Sequence, residues 1–396
     1  MTEYEKMRAG LLYKCGDREI VARLLRAAAL CCRLRTANKE SRQVLEELLP
    51  NLPASARIDP PFFCDLGCGI HVGEGVHIAA SCCILDTGSV FIGEGSRIGS
   101  GSLLCTPHHP LQADLRRTNA QYGFDIHIGA RCVLGARVIV CPGVHIGEST
   151  IVAAGSVVTK DLPAHVLAAG IPATVVRSLL PGDGDMAADK AEPVSDSCPD
   201  SSPVTARAQE LTARLLQAAQ DENQALQTAL WQELVPDRGE AAEVCLPFFC
   251  LTGSNIHLGD HSFINYNATI LDQAPVHIGD HTLIGPNCLI TTILDPDSNL
   301  ASRNGPTDRH KEAQAAAVHI GADCWLGGGV TVCPGVRIGD RSIVAAGSVV
   351  TSDVPPDCLA AGNPAQIKRR LQPADTANKR PESAAQGAEP SGDGKQ

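Results

Sequence analysis

Aliphatic residues return every six positions along most of this chain. They fall at Val72, Ile78 and Ile84, at Ile92, Ile98 and Leu104, and then from Ile128 through Leu134, Val140, Ile146 and Val152 to Val158. A second series runs through Leu258, Ile264 and Ile270, then Ile278, Ile284 and Ile290, then Ile320, Leu326, Val332, Ile338, Val344 and Val350. A six-residue period suits neither a helix nor an alternating hairpin. It suits short strands joined by tight turns and stacked as a parallel β-solenoid, with the aliphatic side chains inside. Three hexapeptides close one triangular coil, so each series of twelve predicts four coils. Gly73, Gly93, Gly129 and Gly147 follow aliphatic positions and are expected at corners, where glycine is free to turn.

The two series are copies of one unit. Residues 143–173 recur at 335–365 with 21 of 31 positions identical, an offset of 192, and FFCDLGCGIHVG at 62–73 matches FFCLTGSNIHLG at 248–259, an offset of 186. Ahead of each solenoid the apolar spacing turns helical. Residues 3–13, 17–34 and 38–49 read as a first cap, with Ile20, Leu24, Leu25 and Ala28 on one face and Pro50 and Pro53 as terminators. Residues 204–235, with Leu211, Leu215, Leu226 and Leu230 on one side, read as a second. The expected divisions are a helical cap at 1–55, a β-helix at 56–180, a polar disordered linker at 181–203, a second cap at 204–236, a second and degenerate β-helix at 237–372 and a disordered tail at 373–396.

Composition narrows the function. Aromatics are 3% of the chain, so the core is built from Val, Ile, Leu, Ala and Cys. The 17 cysteines include no CxxC, occur as adjacent pairs at Cys31/Cys32 and Cys82/Cys83, and read as reduced thiols acting as small hydrophobes. A net charge of −11 argues against a nucleic-acid partner, whose phosphates need concentrated Lys and Arg. No apolar run is long enough to span a bilayer, and MTEYEKMRAG lacks the layout of a signal peptide, so a soluble cytoplasmic chain is expected.

The six-residue phase breaks between Leu104 and Ile128. The inserted loop, 105–125, carries His108-His109-Pro110-Leu111, and a long insertion in a uniform solenoid is commonly functional. A neutral imidazole there suits a general base for a hydroxyl nucleophile; a solvated loop histidine is the plainer reading.

The opening TEYEKMRAGLLY (2–13), the PPFFCDLG entry (60–67), CILD (83–86), the HHPL loop and the closing AAGSVVTKDLP and AAGIPA blocks, in that order, resemble the maltose and galactoside O-acetyltransferase family of hexapeptide-repeat acyltransferases, nodulation-type enzymes included. The resemblance implies a mainly β fold, two left-handed parallel β-helices each with an N-terminal helical cap. It also implies direct acetyl transfer from acetyl-CoA to a sugar or similar hydroxyl, without metal. His109 aligns with the family's base, and Asp65 with a polar acceptor-side position. The oxyanion donor is implied near Ala136, and the coenzyme beside Ala154, Gly155, Ser156, Thr159 and Lys160 with Arg177 near its phosphates. An asparagine expected after Ile78 is replaced by Ala79, but Asn265 stands there in the second half, as do Trp325 and Gly328 in the family's tryptophan turn, where the first half has Val133. The second half in turn lacks the base: His109 maps onto Asp295 or Ala301, His310 lacks a following proline, and Ser352 replaces the lysine.

Members of that family associate in threes with sites between neighbours, so a homo-oligomer built on trimers of β-helices is expected. Either the halves complete one site, His109 facing Asn265 or Trp325, or the second half is a stacked scaffold. His71, His127 and His145, and likewise His257, His277 and His319, share one phase and are expected to stack, the first set interrupted by Phe91. A metal-dependent carbonic anhydrase-like enzyme and a non-catalytic scaffold are the rival classes.

Overall fold

A computed structural model describes residues 1–34, 41–179, 203–221, 223–293 and 315–372. Each half is a triangular prism of parallel strands. In the first half the three faces are a four-stranded sheet from Ile70–Val72 to His145–Ile146, a seven-stranded sheet beginning at Arg57–Ile58 and a five-stranded sheet from Phe62–Cys64 to Val157–Val158. The second half repeats this with five-, seven- and five-stranded sheets. Strands pair in register at successive coils, as Ile84 with Leu104 and Ile290 with Val332, so the six-residue aliphatics stack into buried columns. The expected four coils are too few: in the first half the five-stranded sheet has one strand more, and the seven-stranded sheet has one more at its start and, at its end, parallel Val166–Gly170 followed by antiparallel Ala173–Ser178. Arg57–Ile58 and Phe62–Cys64 already form a rung, hidden from the periodicity because Cys64 occupies the aliphatic position and the chain lengthens at 65–71.

The corner glycines serve a different purpose from the expected one. The left-handed corner positions are often Arg, Ser, His or Asp, as at Arg131, Ser149, His261 and Asp323. Gly93 is instead required by stacking, because a Cβ there would lie 2.5 Å from the backbone nitrogen of Ala130 in the next coil.

The first cap holds α1 (Glu3–Arg8), α2 (Arg18–Arg33) and α3 (Ser41–Leu48). Thr2 and Glu5 form a capping box on α1, and Asp17 caps α2. The helix expected to reach residue 13 stops at Arg8 because Gly10 turns left-handed, and Tyr13–Lys14 becomes a strand. Ala27, Leu30 and Cys31 bury against the solenoid and Ile20 packs with Met7, Tyr13 and Leu66, whereas Leu25 faces outward. Within the insertion, α4 (Ala113–Arg116) is a single short turn. The second cap is α5 (Pro203–Gln220) and α6 (Gln224–Leu234), the latter restarted by Asn223, and the break turns Leu226 outward rather than onto the buried side. α2 and α5 touch, so the caps meet as well as the prisms. The linker expected at 181–203 lies outside the described residues except for Pro203, which already begins α5, and the tail 373–396 lies outside them too, as do Asp295, Ala301 and His310.

All cysteines among the described residues are free thiols, and Cys64, Cys82, Cys83, Cys132 and Cys324 fill core positions. Burial pushes the Cys82 thiol up to about 12. The histidine columns form as expected. His71, Phe91, His127 and His145 follow one another at 4.7, 4.6 and 4.5 Å between ring centroids, and His257, His277 and His319 at 4.3 and 4.7 Å. Among the described residues no group of His, Cys, Asp or Glu is arranged to hold a metal ion, and no helix is long and apolar enough to cross a membrane.

Candidate active site at the seam between the halves

The two prisms lie side by side along one seam. On the five-stranded face of the first half the outward positions Phe63, Cys83, Leu103, Ile139 and Val157 are at most 7% exposed, whereas their counterpart Phe249 in the second half is 42% exposed. The face of the first half is covered by one corner of the second, the turns that follow the strands of its seven-stranded sheet, with Gly328 against Leu103, Gly329 against Ile139 and Gly347 against Val157. Tyr266 joins the core of the first half, with Cys245 and Ala346 packed against it. The fit is close at Gly328, where a Cβ would come within 2.3 Å of the Leu103 Cδ2.

The inserted arm rises from the edge of this covered face. Pro107–His108 pairs antiparallel with Tyr122 and Gly123, and Ala120–Gln121 pairs with Lys14 and Tyr13 of the cap. The side-chain amide of Gln121 donates to the Tyr13 hydroxyl. What the sequence presents as a loop is therefore a hairpin tied to the cap, with α4 at its tip. That hairpin delivers His109 across the seam. Its ring stands edge-on to Trp325 of the second half at 5.5 Å, and His108 lies 6.3 Å from the same indole.

Electrostatics suit the imidazole to accept a proton. Burial above all, then His108 and the Arg116 guanidinium, lowers the pKa of His109 to about 4, so it is neutral near pH 7. The ring is half-buried and stands edge-on to the indole.

Two arginines fix the arm. Arg116, 5% exposed, donates to the carbonyls of Pro110 (3.1 Å) and Leu111, and on its other side to the backbone carbonyl of Asp323. Arg117 grips the Asp323 carboxylate with two bonds, Nε to Oδ1 at 2.7 Å and Nη2 to Oδ2. The sequence reading missed all three residues. The signal was an Arg-Arg pair in the insertion and a reversal of sign, Arg131 to Asp323, at the offset of 192.

The other expected site residues divide. Asn265 sits on the seam beside Tyr266, its Oδ1 accepting the Tyr266 N–H at 2.7 Å. Asp65 is buried near Cys245 and Tyr266 of the second half, and desolvation together with the neighbouring Asp86 holds its carboxyl well above the usual range. Ala136, Ala154 and Gly155 stack in a corner of the first half, the Gly155 N–H donating to the Ala136 carbonyl at 2.8 Å. Ser156 is buried there and accepts from the Gly170 N–H, while Thr159, Lys160 and Arg177 are exposed. Among the described residues the aromatic partner of His109 belongs to the second half, not to this corner. Gly328 is the counterpart of Ala136 and lies on the turn that follows the strand carrying Trp325.

Comparison with known proteins agrees with this architecture. Residues 6–53 match the model of the maltose acetyltransferase hexapeptide capping motif, 125–160 the hexapeptide repeat of succinyl-transferase, and 317–352 the bacterial transferase hexapeptide. The chain is 30% identical over 179 residues to a galactoside O-acetyltransferase of Escherichia coli, covering 44% of this chain and 88% of that protein. It is 39% identical over 146 residues to a putative acetyltransferase of Saccharomyces cerevisiae, covering 37% and 74%. Among solved structures, a maltose O-acetyltransferase from Clostridium difficile is similar at 30% identity with a TM-score of 0.44, covering 46% of this chain and 98% of that one.

Proposed function

This chain belongs to the galactoside and maltose O-acetyltransferase family, and from that premise we propose that it moves the acetyl group of acetyl-CoA onto a hydroxyl of a sugar or sugar-like acceptor, at one site built by both halves, with His109 as general base. The observation that carries this reading is the approach of His109 to Trp325, which joins the base present only in the first half to the tryptophan present only in the second.

In the reaction, His109 accepts the proton of the acceptor hydroxyl as its oxygen attacks the thioester carbonyl carbon. The C–O bond forms, the C–S bond breaks, and the proton passes from the imidazolium to the departing thiolate. A backbone N–H near the Gly328 turn supports the oxyanion, the role that the resemblance alone assigns to Ala136. Asn265 and Asp65, on the seam, bind the acceptor. The seam inside one chain thus takes the place of a contact between separate prisms.

The test is acetyl-CoA-dependent thiol release against maltose, glucose and galactosides. His109→Ala is expected to lose about 10²–10⁴-fold in kcat, the range for a general base, and Trp325→Ala to lose activity although it lies in the other half. Wild-type turnover by His109→Ala overturns the base; wild-type turnover by Trp325→Ala overturns the shared site.

A further inference from the structure

The geometry points to Arg116, Arg117 and Asp323 as a clamp that positions His109 against Trp325 and that closes only between a first half and a second half. Arg116 holds the two carbonyls that directly follow His109 and, with the same guanidinium, the backbone of Asp323. One guanidinium thus ties the base segment to the opposite prism. Arg117 adds the charged half of the clamp. The Asp323 side chain is only 6% exposed and its two oxygens are both engaged by Arg117, the fork-to-fork arrangement that fixes direction as well as distance. Arg341 and Asp114 also face Arg117, from the second half and from α4 respectively.

The direction follows from a change of sign. Asp323 and Arg131 are the same corner of the two prisms, separated by the offset of 192 and held in the same left-handed conformation, φ of 58° and 56°. An arm from a first half laid on another first half would bring Arg117 onto Arg131 rather than onto a carboxylate. Like charges at that point reject the wrong neighbour, while opposite charges select the right one. These three residues touch neither substrate nor the reacting atoms, so they are positioning residues.

The inference rests on the reading of His109 as the base, but it has a readout that needs no acetyl transfer. The chain has two tryptophans, Trp231 and Trp325, so in a Trp231→Phe background the fluorescence reports Trp325 alone. Acrylamide quenching of that indole at pH 7 is expected to rise several-fold in Asp323→Ala and in Arg117→Ala, whose half-exposed side chain makes it the gentler change, as the arm lifts away. The double exchange Arg117→Asp with Asp323→Arg restores the quenching constant to near the parent value. In turnover, the single variants lose about tenfold or more in kcat with little change in the KM for acetyl-CoA, and the exchange recovers most of it. Unchanged quenching in Arg117→Ala, or no recovery in the double exchange, overturns the clamp. If quenching behaves as expected and the parent shows no turnover, the clamp stands and the acetyltransferase reading falls.

Discussion

His109 shows how much a single side chain owes to its surroundings. A histidine in water titrates near 6.5, but burial disfavours the imidazolium and lowers the pKa here to about 4. The sign is that of a depressed cation. The folded chain keeps His109 neutral down through pH 5, where an exposed histidine is mostly charged and useless as a base. The acid limb of kcat/KM is therefore expected close to pH 4, and a limb near 6.5 in the pH profile of the free enzyme shows that the ring is solvated in solution. Gly328 is constrained by contact instead of charge. A side chain there runs into Leu103, which is itself buried, so Gly328→Val is expected to cost about 1–3 kcal/mol by overpacking, read as a lower melting temperature.

At the scale of elements, each half closes its first coils with a buried aspartate. Asp86 accepts the N–H groups of Leu66 and Gly69 at 2.8 and 2.9 Å, and Asp272 those of Leu251, Thr252 and Gly253 at 2.9, 2.9 and 2.8 Å. The bend after each Phe-Phe-Cys strand turns its N–H groups inward, where water does not reach them. Removing the acceptor strands several donors together. Asp272→Ala is thus expected to lower stability by about 2–4 kcal/mol, since each buried donor left unpaired costs about 1–3 kcal/mol; a shift under 1 kcal/mol in a denaturant titration counts against this role. The arm depends on pairing in the same way: its strand 120–123 is held between His108 on one side and Tyr13 of the cap on the other.

Across the whole molecule each half has its own core, and Tyr266 links them, so the halves are expected to unfold together. Tyr266 comes from the second half, is 9% exposed and packs with the aliphatics of the first. Tyr266→Ala is expected to cost several kcal/mol, about the 3–5 kcal/mol of other buried aromatic truncations, and to speed amide exchange at Leu103, Ile139 and Val157 across the seam. Exchange faster only within the second half contradicts that coupling. The face bearing Phe249 has no such cover among the described residues, which marks the asymmetry of a chain with two prisms.

The amino-acid sequence alone determined the solenoid, because a six-residue period with buried aliphatics leaves parallel stacking as the arrangement that keeps every aliphatic inside. It also determined the duplication, the helical caps, and the contrast between a half with His109 and a half with Trp325. It did not determine the first rung, where Cys64 stands for an aliphatic residue, nor that corner glycines such as Gly93 answer to stacking. Only the tertiary structure decided which faces meet, since outward residues such as Leu103 and Leu289 look alike in the sequence and differ only in whether another prism lies on them. Docking is a relation between surfaces with no short-range period. For the same reason Arg117 and Asp323, 206 residues apart, became a pair only once the prisms were placed side by side.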